Sequence, residues 1–172
     1  MSQSVTVSLR GVAKLLLRSR NVKYKQSAKY GESMEKVLVV GTGVSGIAAV
    51  QLLLKKQVQT VLFDSNANLE VEKLYERAPF LKEVPLLLGT IDKAEMEGFS
   101  TAVISPGVSI ELPLVQELKN AGVKIWGEIE LAYHFGNGQL LAITGTNGKT
   151  TTTALTGAIM KHYYKDVRIV GN

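Results

Sequence analysis

Gly145-Thr146-Asn147-Gly148-Lys149-Thr150 has the residue types of a phosphate-binding loop. In such a loop backbone N–H groups cradle phosphate oxygens, a lysine reaches the β- and γ-phosphates, and the hydroxyl that follows can ligate Mg2+. Lys149 and Thr150 stand where those two roles fall. The spacing departs from the general Gly-x-x-x-x-Gly-Lys-Thr pattern, which asks for glycine where this chain has Ile143. The run Thr150-Thr151-Thr152-Thr153 is poor helix material. At a first turn those hydroxyls can cap free N–H groups or reach a bound nucleotide, so the run argues for function over structure.

A second loop lies far upstream. Gly41-Thr42-Gly43-Val44-Ser45-Gly46 matches Gly-x-Gly-x-x-Gly between a strand-like and a helix-like segment. The first glycine makes the turn, Gly43 admits a phosphate close to the backbone, and the third lets helix and strand pack. The helix start then offers N–H groups and a partial positive charge to an anion. Asp64 ends the next strand 18 residues after Gly46, where an acid can accept from ribose hydroxyls. By itself this signal specifies a nucleotide-like anion and not which one. A bare strand–helix turn would use the same glycines.

Both loops need strands before them and helices after. The pattern supplies these from Lys36 onward. Apolar runs predict strands at Lys36–Val40, Gln59–Asp64, Pro85–Leu88, Thr101–Ser105, Val123–Trp126, Gln139–Thr144 and Val167–Val170. Helical spacing predicts helices at Val44–Lys56, Leu69–Arg77, Leu112–Ala121, Glu128–Phe135 and Lys149–His162. Gly136-Asn137-Gly138 reads as a linker. The alternation implies a parallel sheet with right-handed crossovers. The expected fold is α/β: a Rossmann-like, doubly wound parallel sheet over residues 34–136, followed at 137–172 by the start of a P-loop ATPase domain. That last stretch is too short for a core of its own, so the chain reads as a truncated piece of a longer protein.

Composition narrows the classes. A hydrophobic share of 45% with 20% charged residues suits a globular core. With no cysteine, a disulfide scaffold, a Cys-based zinc site and a Cys nucleophile are excluded. The net charge of +5 and pI of 9.4 mislead. Seven of the 20 Lys/Arg and one of the 15 acids lie in residues 1–33, so the remainder is slightly acidic. A nucleic-acid role loses its basis. Residues 1–33 read as a basic leader outside the fold, with a short amphipathic helix at Val5–Leu17. A transit peptide has similar composition. Val37–Leu54 is uncharged, but its glycines divide it into strand, turn and helix, and no membrane insertion is expected. His134 and His162 have no evident partner and read as surface residues. Trp126 reads as core or pocket wall. Glu128 and Glu130, two apart at a helix start, read as structural acids favouring the dipole.

Taken with Ser105-Pro106-Gly107-Val108, Gly127-Glu128-Ile129-Glu130-Leu131 and the terminal Val170-Gly171-Asn172, the two loops resemble the Mur ligases of peptidoglycan synthesis, nearest their D-glutamate-adding branch. The short loop that missed the general pattern is the form this family uses. The resemblance covers residues 36–172. It implies that the first domain holds the UDP end of UDP-N-acetylmuramoyl-L-alanine, with Val44 and Ser45 on the diphosphate and Asp64 and Ser65 toward the uracil. Ser105, Pro106 and Gly107 would flank the same pocket, and Asn172 would touch the muramoyl part. Residues Gly145, Thr146, Asn147, Gly148, Lys149, Thr150 and Thr151 would bind ATP, with Thr150 on Mg2+. The implied chemistry is activation of a carboxylate by ATP as an acyl phosphate, which the amine of D-glutamate attacks, in the cytoplasm. This chain alone is expected to be inactive. One departure stands out: some relatives carry Thr-Arg after the acid of the second strand, where this chain has Ser65-Asn66 and so lacks the cation. Rival readings are an alanine-adding ligase, which usually has His at the place of Asn147, an NAD-dependent oxidoreductase, and a non-catalytic nucleotide-binding module.

Overall fold

The computed structural model describes residues 4–8, 36–136 and 139–170. The elements are β1 (Ser4–Ser8), β2 (Lys36–Val40), α1 (Val44–Lys55), β3 (Gln59–Asp64), α2 (Val71–Arg77), a 3-10 turn (Pro79–Glu83), β4 (Leu86–Leu88), α3 (Lys93–Glu97), β5 (Thr101–Ile104), α4 (Pro113–Asn120), β6 (Lys124–Trp126), α5 (Glu128–Phe135), β7 (Gln139–Ala142), α6 (Lys149–Tyr163) and β8 (Asp166–Ile169). The linker residues Asn137 and Gly138, and Asn172, lie outside the described residues.

The central sheet has five parallel strands in the order β4-β3-β2-β5-β6. Its middle strand Lys-Val-Leu-Val-Val is apolar on both faces, as a strand covered on both sides must be. Side chains alternate across the pleat. Val37 and Val39 enter one core with Val50, Leu53 and Leu131, supplied by α1 and α5. Leu38 and Val40 enter the other with Phe63, Val115 and Leu118, supplied on the helix side by α4. The sheet is therefore doubly wound, as the alternation of patterns predicts.

The order reverses at β2. The chain moves outward to β3 and β4, then crosses back to β5 and β6. The loops after β2 and β5 therefore leave side by side at the carboxyl ends of two adjacent strands, the switch point of the sheet. This is where Gly41–Gly46 and Ser105–Gly107 emerge.

A three-stranded parallel sheet of order β7-β1-β8 carries the second glycine loop. The composition of residues 1–33 points outside the fold, and Val5–Leu17 toward a helix. At Ser4–Ser8 the structure differs from both. This segment pairs on one side with Gln139–Ala142 and on the other with Asp166–Ile169. Three successive β-branched residues, Val5, Thr6 and Val7, favour the extended backbone. β7 and β8 also present facing edges one strand apart, and a strand between them pairs both. Among the described residues no helix is long and apolar enough to cross a membrane.

Candidate functional site

Gly41 turns the chain out of β2 with φ of 104°, a conformation that disfavours side chains, while its N–H donates to the Phe63 carbonyl at 2.8 Å. A Cβ at Gly41 would lie 3.0 Å from Ser105 Oγ. A Cβ at Gly46 would lie 1.8 Å from the Gly41 carbonyl oxygen and 3.2 Å from Ser105 Oγ. The glycine loop and the loop after β5 are thus one packed wall, and Ser105 is pressed against both outer glycines. Pro106 and Gly107 beside it are exposed.

Gly43 precedes α1, and no side chain caps this helix. Its first turn contains no acid, and Lys55 sits in its last turn. The positive end of the dipole at Gly43, Val44 and Ser45 is therefore left for an anion from outside the helix. Val44 is exposed and Ser45 half-buried.

Asp64, expected as a ribose acceptor, is engaged within the protein as well. Its Oδ2 accepts from the Thr42 backbone N–H at 3.0 Å and from the Thr42 hydroxyl at 2.6 Å, and its Oδ1 accepts from the Asn66 N–H at 3.0 Å. A carboxylate has about four acceptor positions, so three are used inside the protein and one remains for a ligand. Asp64 mainly ties the glycine loop to β3. Burial raises its pKa, but the hydrogen bonds from Thr42 and Asn66 outweigh burial and hold it below the usual carboxylate value. Because the folded-state pKa is depressed, this stabilisation is full above the unfolded value and is lost as pH falls through the folded one. Asp64→Asn is expected to flatten the fall in stability below about pH 4, measured as urea midpoints against pH. An unchanged acid limb would show that the carboxylate does not hold the loop.

Thr42 and Arg77 were not legible as site residues. Thr42 is buried, and its carbonyl accepts from Arg77 Nη2 at 2.8 Å. Thr42 occupies a variable position of the glycine motif, and Arg77 is 35 residues further on, so nothing local signals the contact. Beside it, a cavity of about 400 Å³ opens between the loop after β3 and α2, lined by Asn66, Asn68, Glu70, Lys73 and Arg77 among others. Ser65 is exposed.

At the second loop, Gly145 and Gly148 both take positive φ, 150° and 75°, and Gly148 begins α6 in the left-handed region. Thr146, Asn147, Thr150 and Thr151 are exposed. Lys149 Nζ donates to the carbonyls of Gly145 at 2.6 Å and Thr146 at 3.0 Å. The ammonium therefore lies over the loop's own backbone. The threonine run does not cap the helix: no side-chain cap is made, and Thr153 is buried with its hydroxyl unpartnered. With no acid in the first turn of α6, the donor set fits nucleotide phosphates. Thr150 offers one hydroxyl to a shared cation, and the described residues contain no cluster of His, Cys, Asp or Glu able to hold a metal alone.

Other readings of single residues come out as follows. Glu130 Oε2 accepts from the Gly127 N–H at 3.0 Å, a helix-start role like the one expected, and Glu128 is buried. His134 is not a plain surface residue: its ring packs 4.8 Å from Trp126 and 4.9 Å from Phe135. Trp126 borders the α1-side core. His162 is exposed.

A family profile described as the N-terminal domain of MurD-like Mur ligases matches residues 35–127. The UDP-N-acetylmuramoylalanine–D-glutamate ligase of Lachnoclostridium phytofermentans is 47% identical over 138 residues, covering 80% of this chain and 30% of that protein. The ligase of the same name from Lachnospira eligens is 48% identical over 136 residues, covering 79% and 30%. This chain thus spans 30% of the length of these curated relatives. Among solved structures, a pseudomurein peptide ligase type C from Methanothermus fervidus aligns with a TM-score of 0.45 and 22% identity over 74% of this chain and 26% of that one.

Proposed function

Because the chain belongs to the Mur ligase family through its MurD-like N-terminal domain, we propose that it is the nucleotide-holding part of a cytoplasmic ligase that adds D-glutamate to UDP-N-acetylmuramoyl-L-alanine. The observation that carries this is the glycine loop at the β2/β5 switch point, packed against Ser105 and leading into an uncapped helix.

Residues 34–136 bind the UDP end of the sugar nucleotide. The N–H groups of Gly43, Val44 and Ser45 hold the diphosphate, worth roughly 0.3–2 kcal/mol from the helix dipole. Asp64 fixes the loop and keeps one acceptor position toward the nucleoside, beside Ser65. Ser105, Pro106 and Gly107 flank the same pocket, and Asn172 contacts the muramoyl part. Residues 137–172 contribute the ATP loop, from Gly145 through Thr151. Lys149 exchanges two backbone carbonyls for phosphate oxygens, and Thr150 supplies one ligand to Mg2+. ATP supplies the phosphoryl group that makes the alanyl carboxylate reactive toward the amine of D-glutamate. Gathering both nucleotides is what these residues do; ligation is not expected of residues 1–172 by themselves.

Calorimetric titration tests the reading. UDP-N-acetylmuramoyl-L-alanine and UDP are expected to bind, and NAD to bind far more weakly. Tighter binding of NAD would favour an oxidoreductase instead. Preference for the sugar nucleotide without its alanine would favour the alanine-adding branch.

A further inference from the structure

Arg77 closes α2 and is exposed, yet its guanidinium turns back onto the glycine loop and donates to the Thr42 carbonyl at 2.8 Å. The Thr42–Gly43 peptide is trans, so its planar unit places the Gly43 N–H opposite the carbonyl that Arg77 holds. Gly43 immediately precedes α1, and its N–H belongs to the donors left for an anion. The other side of Thr42 is held by Asp64 through both its N–H and its hydroxyl. Two side chains of opposite charge, from two elements, thus hold Thr42 through the peptides on either side of it. Lys73, one turn earlier on α2, is paired with Glu70, so its charge is compensated within the helix. A cation on the carbonyl also polarises the peptide and strengthens the N–H at its other end.

We propose that Arg77 is a positioning residue for the diphosphate, aiming and polarising the Gly43 N–H. This rests on reading Gly41–Gly46 as the UDP site. It assigns to α2 a part in nucleotide binding that no position next to the motif reveals. The selectivity it confers is for the charged part of the ligand and not for the base.

Titrating the 172-residue chain with UDP, uridine and inorganic pyrophosphate tests this. Arg77→Met is expected to weaken UDP and pyrophosphate about 10-fold, because the Gly43 N–H is then less well aimed and polarised for its charge-assisted bond to the anion. Uridine affinity should not change, and Arg77→Lys should restore part of the loss. The Gly43 amide resonance should move in Arg77→Met, while the thermal midpoint stays within about 2 °C. Equal losses for uridine and UDP, or an unchanged UDP affinity, would overturn the proposal. If the parent chain binds pyrophosphate but not UDP, the UDP reading falls alone, and the pyrophosphate series decides the role of Arg77. If it binds neither, both fall.

Discussion

Gly46→Ala is expected to unseat the glycine loop, abolish UDP binding and lower stability by about 3 kcal/mol. The added Cβ would stand 1.8 Å from the carbonyl oxygen of Gly41 and 3.0 Å from its carbon. Those are backbone atoms, so no rotamer change relieves the overlap. Moving them pulls on the Gly41 N–H bond to Phe63, which joins the loop to β3. Moving α1 instead disturbs Ala49, Val50 and Leu53, which are buried in the core. Either route costs the upper end of what overpacking usually costs, a large share of the ~5–15 kcal/mol that holds a domain together. Urea unfolding and UDP titration read both effects. The control is Gly43→Ala. A Cβ there meets nothing within 4 Å, and φ of −68° suits any residue. Its fold should survive, and any loss of UDP affinity would place the phosphate over Gly43. A Gly46→Ala protein with parental stability and affinity would refute the packing argument.

Lys149→Ala is expected to lose most ATP affinity in this chain. In a ligase of the relatives' full length carrying this loop, it should slow the phosphoryl-dependent step on the order of 10²-fold or more. The ammonium lies over the Gly145 and Thr146 carbonyls, within the loop whose N–H groups would hold phosphates. It can shift from these acceptors to phosphate oxygens with a change of side-chain rotamer. A charge already placed there needs no reorganisation when negative charge builds on the transferring group. Removing it also frees two carbonyls, but both residues are exposed and water replaces the lysine. The fold should therefore persist, and circular dichroism checks this. Turnover unchanged by Lys149→Ala would remove the lysine from the mechanism.

The local pattern was informative where an element is decided by its own residues. β2, β3 and α5 have the bounds that their apolar runs and helical spacing predict. α2 begins at Val71 and not at Leu69, because the side chains of Asp64 and Asn66 take the N–H groups of Asn66 and Asn68 and hold the preceding residues in turns. α3 and the 3-10 turn, five residues each, are too short to show a period. Ser4–Ser8 was hidden by the basic composition around it, because a strand's place depends on which edges are unpaired elsewhere.

The second glycine loop and the first are local features. The residues of each loop lie within six positions of one another, so sequence alone determined that this chain carries two loops with the residue types that suit phosphates. It also determined an alternating α/β fold, since apolar periodicity is set by neighbours along the chain. Tertiary structure decided what surrounds those loops. Strand order alone brings Ser105 against Gly41 and Gly46. Folding alone turns Asp64 inward onto Thr42 and brings Arg77 back across 35 residues to the same residue. These contacts have no sequence spacing to reveal them, because each depends on where two separate elements end in the folded sheet.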